Sequence, residues 1–272
     1  MIPIGNSGLR VAGLSHVGNK RTHNEDSIAI DIELGLAVLA DGMGGYQGGQ
    51  LASALAVKII IDEVRARHRG CPNRFDAPAR HAWHQSLLAQ AFAKANGVIY
   101  HLAQRKRHYQ GMGTTLIATL FHDGQVTIAH VGDSRVYRLR QNTLQQVTAD
   151  HSLLQELLDR GFYAPEDLRH SLNKSFITRA VGIGTSVQPD IKQDSVSPSD
   201  LYLLCSDGLT DLVEDQEIQR ILTEYHSKLR RAAVGLIRLA NRRGGRDNIS
   251  VILARYPSAL VASGCVAGGY AL

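Results

Sequence analysis

Leu36-Ala37-Val38-Leu39-Ala40-Asp41-Gly42-Met43-Gly44-Gly45 is a short apolar run that ends on an acid and a cluster of glycines. Two other stretches repeat the pattern. Val126-Thr127-Ile128-Ala129-His130-Val131 leads into Gly132-Asp133-Ser134-Arg135, and Leu201-Tyr202-Leu203-Leu204-Cys205 leads into Ser206-Asp207-Gly208-Leu209-Thr210-Asp211. Short apolar runs of this kind predict buried strands, so the acids sit at strand ends, where their carboxylates can converge. Arg21-Thr22-His23-Asn24-Glu25-Asp26 and Gly245-Arg246-Asp247-Asn248 add further acids and an arginine. Carboxylates crowd together only when something positive offsets their repulsion. Oxygen ligands without nitrogen or sulfur select hard divalent cations, Mg²⁺ or Mn²⁺.

Outward from these runs, Leu9–His16, Ser27–Ile32 and Leu34–Ala40 read as strands. The period then changes. Leu51, Leu55 and Ile59 form one row at i,i+4 spacing, and Ala52, Ala56 and Ile60 form the next, which predicts a helix over Gly49–Arg67 with a wide apolar face. Gly70-Cys71-Pro72-Asn73 breaks it, and a second helix is expected from Ala82 to Gln104. Thr114–Phe121 and Gln125–Val131 flank an Asp123-Gly124 turn, and Arg135–Arg140 with Thr143–Val147 makes another hairpin. A short helix over His151–Arg160 precedes a polar stretch, Gly161–Thr185, that reads as a mobile flap. Strands are expected at Val187–Val196, Leu201–Cys205 and Asn248–Tyr256, and helices at Asp215–His226 and Lys228–Arg242, the second with Leu229, Ala233, Leu236 and Ala240 on one face. Two sheets packed face to face with a pair of helices outside each is the economical packing, an α+β arrangement in a single domain over residues 1–256. The uncharged tail, 257–272, is expected to be disordered.

Composition narrows the function classes. The chain has 272 residues, is 44% apolar and 20% charged, and carries a net charge of +5. A mildly basic balance (pI ≈ 9.2) suits anionic substrates. The basic residues are scattered and no aromatic residues interleave them, which argues against a nucleic-acid surface. Cys71, Cys205 and Cys265 are far apart and form no Cys-x-x-Cys, so neither a zinc site nor a disulfide framework is indicated. The absence of a signal peptide and of a long apolar stretch predicts a cytoplasmic protein that does not enter the membrane.

Taken together, Arg-x-x-Asn-Glu-Asp, Asp-Gly-Met-Gly-Gly, Gly111-Met112-Gly113-Thr114-Thr115, Gly-Asp-Ser-Arg, Asp150-His151-Ser152, Ile177-Thr178-Arg179-Ala180-Val181-Gly182, Ser-Asp-Gly-Leu-Thr-Asp and Asp247-Asn248 resemble the bacterial metal-dependent protein phosphatases, the protein phosphatase 2C-like Ser/Thr enzymes. The resemblance covers about residues 10–256 and implies a four-layer αββα sandwich of two antiparallel sheets flanked by helix pairs. It implies that Asp41 bridges two Mn²⁺ or Mg²⁺ ions, that the Gly42 carbonyl completes the first site, and that Asp207 and Asp247 ligate the second. A weaker third ion would lie between Asp133 and Asp207. Glu25 and Asp26 would act through metal-bound waters, and Arg21 would grip the substrate phosphate. The implied reaction is hydrolysis of phosphoserine and phosphothreonine by a metal-bridging hydroxide, with Arg21, Asp41 and Asp207 as the catalytic set. Phosphorylated proteins and a cognate Ser/Thr kinase would be the partners of a monomeric enzyme.

Two positions depart from the family pattern. Tyr46 and Gln50 stand where bacterial relatives usually carry His and Glu. Met43 follows Asp-Gly, as is common in bacterial forms, where some other members carry a general-acid histidine. The proton donor to the leaving alkoxide therefore stays open between metal-bound water and a side chain. His151, His23 and His130 are read as structural. A phosphoprotein-binding module without catalysis would lack ligand acids, and all are present. Another two-metal enzyme, such as a nuclease or phosphodiesterase, would be expected to show histidine-rich ligand motifs.

Overall fold

The computed structural model describes residues 9–44, 48–68, 70, 76–161 and 176–256. Strands are β1 (Arg10–His16), β2 (Asp26–Asp31), β3 (Leu36–Met43), β4 (Gly113–Thr114), β5 (Leu116–His122), β6 (Gln125–Val131), β7 (Arg135–Arg140), β8 (Thr143–Gln146), β9 (Asp190–Ser195), β10 (Leu201–Cys205) and β11 (Ile249–Arg255). Helices are α1 (Gly48–His68), α2 (Ala77–Arg105), α3 (Leu153–Asp159), α4 (Asp207–Thr210), α5 (Asp215–Glu224) and α6 (Leu229–Arg242). One sheet runs β1-β11-β10-β7-β8 and the other β2-β3-β5-β6-β9, with β4 paired to β3. Every pairing is antiparallel.

The unbroken apolar runs follow from burial on both faces. Successive side chains of a strand point to opposite sides. In β3, Val38 packs under α1 and α2 while Leu39 faces the other sheet. In β10, Leu201, Leu203 and Cys205 face α5 and α6, while Tyr202 and Leu204 face inward. Three apolar layers result: helices on sheet, sheet on sheet, and sheet on helices. The αββα sandwich is what the sequence led us to expect. The inner layer is closed by Phe121 edge-on against Tyr202, their ring centroids 5.4 Å apart.

Both hairpins turn as their residues dictate. Asp123 and Gly124 adopt φ of 47° and 72°, and Gln141 and Asn142 adopt 50° and 62°, the left-handed pair that a two-residue turn between twisted strands requires. Helix α2 starts earlier than periodicity suggested, at Ala77 rather than Ala82. The Asp76 side chain caps it by accepting from Ala79 N–H at 2.9 Å, and Pro78 suits the first turn. The span expected to be a flap divides. Residues 162–175, with Tyr46 and the tail 257–272, lie outside the described residues, whereas 176–185 are fastened to the body. Val181 is fully buried and bridged to Thr114, and Gly182 N–H donates to Asn96 Oδ1 at 2.7 Å. Among the described residues no helix is long and apolar enough to cross a membrane.

One polar cluster sits within the outer helical layer. His84 stacks on His122 with centroids 3.8 Å apart, and His68 lies 5.8 Å from His84. Arg80 and Asp123 pair at its edge, and Asp31 adds a second carboxylate nearby. Burial, reinforced by the neighbouring imidazoles, lowers His84 to about 4 and His122 to about 3. Both values lie below the ordinary histidine range. Their contribution to stability is therefore complete above pH ~6.5 and declines as pH falls below it. A His84→Phe variant keeps the stack without the titration. The wild type is expected to lose up to about 1.4 kcal/mol relative to it per pH unit below ~6.5, read from urea midpoints at several pH values. Parallel curves would mean that the cluster protonates freely in the folded protein.

Candidate active site and metal centre

Strand register delivers the acids. Asp26 on β2 lies directly opposite Asp41 on β3. Strand β3 continues through Asp41 instead of ending at Ala40, because Gly42 and Met43 pair with Thr114 and Gly113. Asp41 is gripped through its backbone. Its N–H donates to Thr115 Oγ1 at 3.0 Å, and its carbonyl accepts from Thr115 N–H and Thr114 Oγ1, each at 2.8 Å. Asp133 follows β6 across Gly132, whose φ is 107°. Asp207 opens α4 directly after β10, and Asp247 stands just before β11.

Two glycines permit the close approach. A Cβ on Gly42 would run into the carbonyl of Gly49, and one on Gly208 into the carbonyl of Asn248. Asn248 then ties the two acidic loops together. Its Oδ1 accepts from Glu25 N–H at 2.8 Å, and its Nδ2 donates to the carbonyls of Val17 (2.9 Å) and His23 (3.0 Å). Ser206 Oγ donates to Asp26 Oδ2 at 2.9 Å and accepts from Ser250 N–H at 2.9 Å.

The electrostatics are those of an anionic cluster short of positive charge. Burial and mutual repulsion raise Asp26 and Asp133 to about 6. Asp41 is driven well above the carboxylate range by burial and by Asp26, Asp207 and Asp133. Asp207 is raised likewise, by burial and by Asp133, Asp211 and Asp247. Glu25 is raised by burial against the pull of Arg21. One oxygen each of Asp26, Asp133 and Asp207 is buried without a hydrogen-bond partner. Orphaned carboxylate oxygens among repelling acids fit divalent cations with oxygen ligands.

Glu25, Asp41, Asp207 and Asp247 line a cleft of about 860 Å³ together with Arg21, Gln50 and Phe176, among others, while Asp26 and Asp133 are buried behind it. Arg21 Nη2 donates to Asp247 Oδ2 at 2.7 Å, which holds the guanidinium over the cleft and leaves its other N–H groups available. Met43, His23 and Gly42 also line it. His130 and His151 are buried and do not line the cleft. Cys205 is buried in the core, and burial pushes its thiol up to about 12, so it is no nucleophile. Cys71 and Cys265 lie outside the described residues.

Several participants escaped sequence reasoning. Asp211 adds negative charge at Asp133 and Asp207. It lies four residues after Asp207, and that helical spacing would have placed it on the same face. Thr115, Ser206 and Asn248 are small polar residues whose roles depend on partners far away in the chain.

A family profile described as protein phosphatase 2C matches residues 12–241. The chain is similar to the serine/threonine phosphatase stp of Listeria welshimeri, with 37% identity over 239 residues that cover 87% of this chain and 91% of the relative. It also superimposes on the serine/threonine phosphatase PstP/Ppp of Mycobacterium tuberculosis, with 34% identity and a TM-score of 0.80 over 92% of this chain and 99% of that one. The catalytic domain of PstP in complex with two manganese ions gives 34% identity and a TM-score of 0.78, over 92% of this chain and 99% of that one.

Repulsion among the acids makes a prediction about stability. Asp207→Asn removes one of the crowded charges. In metal-free protein at pH 7 the variant is expected to be more stable by about 1 kcal/mol, a rise of about 3 °C in melting temperature. Mn²⁺ should then raise the melting temperature of the wild type but hardly that of the variant. A metal-free variant that melts lower than the wild type would show that Asp207 is held by favourable contacts rather than strained by its neighbours.

Proposed function

The chain belongs to the protein phosphatase 2C family, and from that premise we propose that it is a metal-dependent protein Ser/Thr phosphatase acting on phosphoserine and phosphothreonine monoesters. The observation that carries the reading is the meeting of Asp41, Asp207 and Asp247 from separate strand ends at a cleft that Arg21 also lines, with Asp133 close enough to repel Asp41 and Asp207. In this reading Asp41, the Gly42 carbonyl, Asp207 and Asp247 would hold two Mn²⁺ or Mg²⁺ ions. Asp133 and Asp207 would hold a weaker third, and Glu25 and Asp26 would assist through water. When bound, the ions supply positive charge to the phosphoryl oxygens and a water acidic enough to attack phosphorus near neutral pH.

The chain's own groups supply position. Arg21 presents a planar fork to two phosphoryl oxygens, geometry that a lysine cannot reproduce. Its bond to Asp247 fixes the direction of approach. Ser206 and Ser250 orient Asp26, and the Thr114–Thr115 grip fixes Asp41. In the net reaction a water oxygen bonds to phosphorus, the ester P–O bond breaks, and the serine or threonine alkoxide takes a proton.

The finer assignments belong to the same proposal. Residues 1–256 act as one catalytic domain, the enzyme is a cytoplasmic monomer, and its substrates are phosphoproteins made by a Ser/Thr kinase that it opposes. Hydrolysis of a phosphothreonine peptide should need Mn²⁺ or Mg²⁺, stop with chelator, and be lost in Asp207→Asn. Arg21→Ala should lower kcat/KM about a hundredfold, with Arg21→Lys recovering little of it. Phosphate release that survives chelation would refute the metal-dependent reading, and an unimpaired Arg21→Ala would remove the phosphate clamp from it.

A further inference from the structure

We propose that Arg179, Asp190 and His151 form a positioning relay that sets the Gly132–Asp133 turn and ties it to the chain entering at Phe176. The inference deepens the reading of Asp133 as a ligand of the weakest cation and rests on it.

Gly132 is confined, because a Cβ there would press into Thr115. Both of its backbone polar groups bond His151. Gly132 N–H donates to His151 Nδ1 at 3.1 Å, and its carbonyl accepts from His151 N–H at 2.9 Å. An accepting Nδ1 puts the ring proton on Nε2. That nitrogen is buried, makes no hydrogen bond, and faces Asp190 Oδ2 at an ion-pair distance of 3.4 Å. The second oxygen of Asp190 accepts from Arg179 Nη1 at 2.7 Å. Thr178 N–H donates to the His151 carbonyl at 2.8 Å, and Ser152 bridges Ile177. His130 stacks on the His151 ring at 4.5 Å and is itself tethered to the Ala149 carbonyl through Nε2 at 2.9 Å.

His130, His151 and Asp190 bring their donor atoms within 4.8 Å of one another, close enough for a metal. The Gly132 bond argues against one. A cation on His151 Nε2 would move the ring proton to Nδ1, where it would oppose Gly132 N–H. The cluster acts instead through that N–H, on the residue before Asp133. Phe176 and Ile177 line the substrate cleft, so its wall and the Asp133 turn share one brace.

Asp190→Asn tests the relay without changing volume. Its amide must offer N–H groups to either Arg179 or His151 Nε2–H, so one of the two attractive contacts becomes a repulsion. His151→Asn keeps an acceptor for Gly132 N–H but cannot reach Asp190. The readouts are Mn²⁺ titration calorimetry, hydrogen exchange of the amides at 132–134, and the melting temperature. Asp190→Asn is expected to weaken only the weakest Mn²⁺ step, by about tenfold, and to speed exchange at 132–134, with little change in melting temperature. His151→Asn should weaken that step too while exchange at Gly132 stays slow. In an Asp133→Ala background Asp190→Asn should no longer affect binding. Uniform weakening of every step with a lower melting temperature would make these residues merely structural and overturn the proposal, as would unchanged binding and exchange. If Asp133→Ala removes no Mn²⁺ step, the ligand reading of Asp133 falls, and the exchange rates alone decide whether the relay exists.

Discussion

Mutual repulsion among buried carboxylates is the constraint on which this structure turns. Asp26, Asp41, Asp133 and Asp207 each repel at least one other, and burial drives all four toward their neutral forms. Among the described residues the positive charge nearby falls short: Arg135 and the Ser206 and Ser250 contacts only temper the rise at Asp133 and Asp26. Arg21 is committed to Asp247, and Arg135 to Asp150. A folded protein keeps such an arrangement only if the stability lost there is offset elsewhere and if the acids serve something that binds them.

The offset comes from the sandwich. Strands buried on both faces give three apolar layers, and the acids stand where those strands stop. Asp41 and Asp26 belong to one sheet. Asp207 and Asp247 belong to the ends of β10 and β11 in the other. The cleft is thus a seam between the two sheets, closed by Asn248, whose side chain joins the loop before β2 to the loop before β11. Side chains on such a platform can be held within the narrow tolerances that cation binding and phosphoryl transfer demand.

Much of the fold was legible because its signals are local. Doubly buried strands read as apolar runs, α1 as two apolar rows, one hairpin as Asp123-Gly124 between strands, and the other as the paired runs Arg135–Arg140 and Thr143–Val147. The start of α2 was misplaced because Asp76 and Pro78 act through a cap, not through hydrophobic period. The acids were visible as residues at strand ends, and the structure gathers Arg21, Glu25, Asp26, Asp41, Asp133, Asp207 and Asp247 around one site. Their holders were not visible. Asn248 bonds Glu25 across 223 positions and Ser206 bonds Asp26 across 180, and no local pattern announces such a pair. The fixed end of the expected flap is illegible in the sequence for the same reason. Gly161–Thr185 reads as polar and irregular, yet Val181 and Gly182 within it are fixed by Thr114 and Asn96, which belong to other elements.

The most direct test of the central claim is anomalous diffraction at the manganese absorption edge from crystals grown with Mn²⁺. The account predicts two strong peaks among Asp41, Asp207, Asp247 and the Gly42 carbonyl, with a weaker one between Asp133 and Asp207. No peak at these acids, or one at His130, His151 and Asp190 in their place, would contradict it.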